Sequence, residues 1–276
     1  MKISPRHGGD PLVRIDAMPD DLAAIVTGQR ARLANTLAGL DAEQWATPSR
    51  CEGWSVKDVI IPLASTNRFW AFSIDQGLEG APTTYLTGFD PVASPAELVA
   101  GAQGTPPEET LSQFTEGNRA LADALSRVDD WRVVAEAPPG HIAIGLVAIH
   151  ALWDSWVHER DIVIPLGLEP TADAREVEAC LLYAAALGPA FQASVGSTRR
   201  GAIALQTTDP DVHAVIEAGP VVTIHRRTAP AGAVVLEGDA VGVLECLSVR
   251  APFTPPGTPD DRWLFQGLAE VFDTTV

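Results

Sequence analysis

Hydrophobic positions along the chain fall into two regimes. From Asp20 to Leu40, Leu22, Ile25, Leu33, Leu37 and Leu40 recur at helical spacing, with Asp20 placed as an N-cap. Ser55-Val-Lys-Asp58 has the capping-box form and opens a second helix, predicted to run to about Gln76. Pro62 lies well inside that helix and is expected to kink it or break it locally. Residues 77–94, with Gly77, Gly80, Pro82, Gly88 and Pro91, read as a loop. Ser94-Pro95 and Thr105-Pro106 each place a proline in the first turn of a helix, the second helix reaching about Val128. An apolar run from Ile142 to Ile149 leads into a buried helix ending near Leu166, and an Ala- and Leu-rich helix follows from Ala172 to about Val195.

After the linker-like Gly196–Gly201 the pattern changes. Ala202–Thr207, Val212–Ile216, Val221–His225 and Ala233–Leu236 are short, β-rich and separated by turn residues. A helical run, Asp239–Leu247, then a Pro-rich stretch at 251–259 and a last helix, Asp260–Phe272, complete the chain. The expected organisation is an N-terminal arm (1–18) without periodicity, an all-helical domain (19–197) and a small α+β domain (198–276).

Within the helix after Ile142, polar groups recur at His150, Asp154, His158 and Asp161. At about 100° per residue they fall within roughly 80° of one face. Two imidazoles and two carboxylates on a buried stripe are costly unless they pair or hold a ligand, and an imidazole and a carboxylate one turn apart can share a divalent ion. The bland alternatives are a hydrogen-bonded Asp154/His158 pair that positions helices, a satisfied core histidine at His150 and a helix-end salt bridge between Arg160 and Asp161.

Composition narrows the partners. A formal net charge of −17 argues against nucleic acid and against an anionic membrane surface. Cys51, Cys180 and Cys246 are widely spaced and form no CxxC pair, which fits a reducing compartment. The stretch Met1–Arg14 has no apolar core of signal-peptide length, and no apolar run is long enough to span a bilayer, so a cytoplasmic chain is expected. There is no GxGxxG, P-loop or GxSxG motif to support a nucleotide cofactor or a serine hydrolase.

Cys51-Glu-Gly-Trp-Ser-Val-Lys-Asp58, Trp156-Val-His-Glu-Arg-Asp-Ile162 with Leu166-Gly167, and Val235-Leu-Glu-Gly-Asp-Ala followed by Leu244–Arg250 occur in that order. Together they resemble the mycothiol-dependent maleylpyruvate isomerase family over nearly the whole chain. The resemblance implies a DinB-like antiparallel four-helix bundle followed by a small α+β sterol-carrier-like domain. It also implies mycothiol as thiol cofactor, and a divalent metal, usually zinc, held by three side chains. Asp154 and His158 match two of those ligands; the third would be a histidine at position 62, where this chain has Pro62. His150 replacing it would demand a reach of about 12 Å along the helix.

The activity implied is a thiol-dependent isomerase or transferase acting on a small electrophilic, anionic substrate. Arg250 would hold a substrate carboxylate and His150 would serve as acid or base. Arg68, with Asn67, could meet an anionic group of the cofactor or substrate. Without metal, His158 paired with Asp154 becomes the natural general base. Trp54 and Cys51 are expected to pack the turn, Cys51 having no neighbour in sequence that would activate it. A metal-free small-molecule-binding protein and a divergent metal-independent enzyme remain open alternatives, as does a homodimer.

Overall fold

The structure is a computed structural model that describes residues 3–272; the first two residues of the expected arm and the last four of the expected C-terminal domain lie outside the described residues. It is a mixed helix-plus-sheet fold. In order, β1 (Val13–Ile15) is followed by α1 (Leu22–Ala38), α2 (Ala42–Trp45), α3 (Val56–Leu78), α4 (Ala93–Gly101) and α5 (Pro107–Ser126). Then come β2 (Val134–Ala137), β3 (Gly140–Ala143), α6 (Ile144–Val163) and α7 (Ala174–Ser194). The chain ends with β4 (Gly201–Thr208), β5 (Val212–Ala218), β6 (Val222–His225), β7 (Val234–Asp239), α8 (Ala240–Leu247) and α9 (Trp263–Val271).

The local signals act where they were expected. Ser55 Oγ accepts from the Asp58 amide while the Asp58 carboxylate accepts from the Ser55 amide, so both donors at the start of α3 are satisfied. Helix α3 continues through Pro62 to Leu78 without a break, because packing on α5 and α6 supports it on both sides. Helices α1 and α3 each pack on both α5 and α6, which closes a ring of four. Close approach is needed at one crossing: a Cβ on Gly117 of α5 would stand 2.8 Å from the Ala64 carbonyl oxygen of α3.

Besides the local break expected at Pro62, which does not occur in α3, three local expectations are corrected. The N-terminal arm is not structureless: β1 pairs in parallel with β6, giving a five-stranded sheet in the order β1-β6-β5-β4-β7. The buried helix starts at Ile144 rather than Ile142, because residues 140–143 satisfy their backbone groups against β2 in an antiparallel hairpin. Asp21, not Asp20, precedes α1, in a left-handed conformation and without a side-chain capping bond.

The arm crosses that hairpin on its way to the sheet. The His141 amide donates to the Arg6 carbonyl, and Gly140, at φ 134°, leaves no room there for a side chain. Buried Glu136 collects the Thr83 hydroxyl, the Tyr85 and Leu86 amides and His7, tying the 81–89 loop and the arm to β2. Helix α7 packs on α6 to one side and on α8, α9, β5 and β6 to the other, so the large core runs unbroken from the helices into the sheet layer. A second, smaller core of Leu33, Leu37, Trp45, Val56, Ile60, Leu63, Phe114 and Ile162 fills the end where α3 begins and α6 ends. Cys51 and Trp54 pack against it. Among the described residues, no helix is long and apolar enough to cross a membrane.

Candidate functional site

Three chain segments meet above this smaller core: the turn before α3, the last turns of α6, and the residues just after α8. The sharp turn at Val249, with φ 59°, follows α8 and precedes Arg250. Arg250 Nε lies 3.0 Å from both oxygens of Asp161, whose side chain is 0% exposed. His158 Nδ1 donates to Asp161 Oδ2 at 3.0 Å, and its Nε2 faces Asp154 Oδ1 at 3.7 Å. The Cys51 thiol donates to the same Asp161 Oδ2 at 3.3 Å, with Sγ 3.8 Å from His158 Nδ1 and 4.0 Å from Arg250 Nη2. Behind them Arg50 and Arg160 grip Glu245, the former bidentately, and Arg50 also donates to the Arg250 carbonyl. The corner therefore holds three guanidiniums and three carboxylates, and a protonated His158 leaves it one positive charge in surplus.

The electrostatics follow from this crowding. Burial works against a charged His158, but the Asp161 hydrogen bond, the Cys51 thiol and the Asp154 charge outweigh it and raise the imidazole from 6.5 to about 10. Burial likewise works to raise Asp161, yet the His158 hydrogen bond and charge, with Arg250, hold it down at about 2. His158 is thus a cation at neutral pH rather than a base.

Of the residues singled out in the sequence, Asp154, His158 and Arg250 come together here; His150 and Arg68 do not. His150 is enclosed by Trp70, Trp153 and Tyr183, with Nδ1 2.9 Å from the tyrosine hydroxyl. Burial lowers it to about 4, only partly offset by the Asp154 charge, so it stays neutral. Arg68 is half exposed on α3 and pairs with Glu116. Arg160 and Asp161 do not form the expected helix-end pair: successive residues diverge by about 100°, and each meets a different segment. Cys51 is more than packing, because the fold supplies the imidazole and guanidinium that its sequence neighbourhood was read as lacking. Its place at the head of the resemblance motif, directly after Arg50, is the signal that could have marked it. Arg50 and Glu245, 195 positions apart, had no such signal.

Elsewhere on the ring, Arg30 is 2% exposed and among the described residues bonds only neutral oxygens, of Asn67, Val26 and Ala151; burial lowers it to about 10, against the pull of Asp154 and Cys180.

The neutral state of His150 predicts acid sensitivity. Its folded pKa lies below its unfolded value, so the unfolded chain binds more protons between about pH 6.5 and 4. The His150 contribution should cost on the order of 3 kcal/mol of stability across that window and level off below it. Denaturant titrations at stepped pH would check this. The double variant His150→Phe/Tyr183→Phe, which strands no polar partner, should flatten the slope; an undiminished slope would assign it to other groups.

Comparison with known proteins agrees with this architecture. A crystal structure of the mycothiol-dependent maleylpyruvate isomerase superposes with a TM-score of 0.60 at 12% identity, covering 86% of this chain and 95% of that one. A mutant of that isomerase superposes with a TM-score of 0.59. At that identity the likeness is one of fold. Uncharacterized proteins from two strains of Mycobacterium tuberculosis, CDC 1551 / Oshkosh and ATCC 25618 / H37Rv, are 24% identical over 159 residues, which is 58% of this chain. The match spans 62% of the length of those relatives. The family model for the mycothiol maleylpyruvate isomerase N-terminal domain matches residues 26–163, from α1 to the end of α6. Since that match takes in half of the chain and carries Cys51, Asp154, His158 and Asp161, the protein belongs to the mycothiol maleylpyruvate isomerase N-terminal domain family.

Proposed function

We propose that the protein is a mycothiol-dependent cytoplasmic enzyme, an isomerase or S-transferase acting on a small electrophilic, anionic substrate. Its centre is the corner of Cys51, Asp154, His158, Asp161 and Arg250. In this reading α1, α3, α5 and α6 are a DinB-like antiparallel four-helix bundle, and residues 198–276 are a sterol-carrier-like domain that lends Arg250 to the bundle. The observation that carries the proposal is the meeting of the His158 imidazole and the Arg250 guanidinium on one carboxylate oxygen, both groups being only partly buried.

The three-ligand metal set implied by the family does not fit these residues. Pro62 is buried and has no donor atom in its side chain, which leaves Asp154 and His158 alone. The side chains can still organise the chemistry. When bound, mycothiol supplies a nucleophilic sulfur for reversible addition to an activated double bond or for displacement of a leaving group. His158, with a carboxylate at each ring nitrogen, carries a positive charge and a proton it can give. Arg250, fixed through Nε by Asp161, can use its remaining donors for a substrate carboxylate. His150, neutral in the core, acts through packing, and Arg68 stands outside this centre.

The test is mycothiol binding by calorimetry together with thiol-dependent consumption of small conjugated carboxylic acids. Turnover should require the thiol, and Arg250→Met should raise KM for the acid by about 10–100-fold, the equivalent of losing one charge-assisted pair. Neither binding nor turnover would sink the proposal. The second reading, a metal-free binding protein for a small molecule, is favoured by Pro62 itself and would then take its place.

A further inference from the structure

We propose that Cys51 Sγ, His158 Nδ1 and Asp161 Oδ2 form a site for one divalent transition-metal ion of the zinc class, distinct from the family set that Pro62 disrupts. The three atoms come from two segments, the turn before α3 and the last turn of α6, and all lie within 4.8 Å of one another. Their separations are 3.0 Å (Nδ1 to Oδ2), 3.3 Å (Sγ to Oδ2) and 3.8 Å (Sγ to Nδ1). Ligand atoms about 2.0–2.3 Å from a tetrahedral ion stand roughly 3.3–3.6 Å apart, so little movement is needed to seat one. The thiol and the imidazole both donate to Oδ2, and an ion seated among the three atoms would replace those two hydrogens.

The outer contacts are those a metal site needs. With Nδ1 turned to the ion, His158 Nε2 faces Asp154, the carboxylate–histidine arrangement that orients a ligating imidazole. Asp154 is thereby an outer partner rather than a ligand. Arg250 Nε lies 3.0 Å from both Asp161 oxygens and Arg50 Nε 3.8 Å from Oδ1, so the two guanidiniums can keep Oδ1 when Oδ2 turns to the ion. Thiolate and carboxylate together cancel the two charges of the ion. A sulfur ligand selects zinc or cobalt over magnesium or calcium, and three protein ligands leave a fourth position open, as in catalytic sites. The inference goes beyond the thiol chemistry proposed above and does not depend on it; with the ion bound, His158 gives up its Nδ1 proton, so its cationic role above belongs to the metal-free form.

The full chain, stripped by a chelator, is reloaded with Zn²⁺ or Co²⁺, desalted and assayed for metal, a readout independent of turnover. Near-equimolar retention is expected, and the cobalt form should show a sulfur-to-cobalt charge-transfer band. Cys51→Ser should abolish the band and weaken retention by more than the about 10–100-fold that loss of an outer partner costs. Asp154→Asn should stay within that range and keep the band. Cys246→Ser should change neither, so the band in that variant still tests the site if Cys51→Ser folds poorly, Cys180 being fully buried in α7. No retained metal, retention without the band, or retention that folded Cys51→Ser leaves unchanged would each overturn the proposal.

Discussion

Arg32→Ala should lower the stability of the protein by about 3–5 kcal/mol, the cost of stranding buried charge. Arg32 extends from α1 between α6 and α7, where its guanidinium bonds both oxygens of Glu159 and both of Glu176. Each of these glutamates is 4% exposed, and among the described residues Gln29 is the only other side chain bonded to Glu159. Burial acts to lower the Arg32 pKa, but the two glutamates raise it above its ordinary value. Burial also raises Glu176 even with the arginine present. Without Arg32, Glu176 would take up a proton still more readily folded than unfolded. The folded state would then bind more protons, so the deficit of the variant should shrink as the pH falls from 7 to 5. Denaturant unfolding at the two pH values measures both. A loss below about 1 kcal/mol, the value of a surface pair, would mean that the acids find other partners or water.

The second large effect is expected at the corner itself. Asp161 is the carboxylate on which Arg250, His158 and the Cys51 thiol converge, with Arg50 beside it. Asp161→Ala would leave three cations facing one another and should cost about 3–5 kcal/mol. In the chelator-stripped protein it should also change the alkaline limb of stability. The folded pKa of His158 is raised to about 10, above its unfolded value of 6.5, so its contribution is full below 6.5 and is lost as pH climbs through 10. In Asp161→Ala this loss should disappear, and an NMR titration of His158 should move toward neutrality. If His158 still titrated near 10 in the variant, Asp154 would be the group that holds it. Asp161→Asn keeps the shape and removes the charge, separating packing from electrostatics.

Much of the fold was legible because it is local. The Ser55–Asp58 box, the apolar stripe of α1, the prolines that open α5 and the alternation in β4–β7 each act over a few residues, and the elements form where those patterns stand. The hairpin before α6 was hidden because Ile142–Ile149 is apolar throughout, and periodicity cannot separate a strand from a helix in such a run. Strand β1 was hidden for another reason. Val13–Ile15 is only three residues long and becomes a strand by pairing with Val222–Ile224. Nothing in its own segment announces a partner so far along the chain.

The site divides the same way. The chain by itself determined the stripe on α6, with Asp154, His158 and Asp161 one turn or less apart, since helix geometry sets that spacing once the residues are written. It also determined that position 62, where the family resemblance implies a histidine, offers no donor, because a proline ring carries none. Tertiary structure alone decided which members of the stripe work together. The core rings of Trp70, Trp153 and Tyr183 close over His150 and hold it neutral. The turn after α8 brings Arg250 across 89 positions to Asp161. The turn before α3 brings Cys51 across 107 positions to His158. Spacing along one helix sets angles on its own surface, whereas charge balance and burial are set by what packs against that surface, and those groups come from segments distant in the chain.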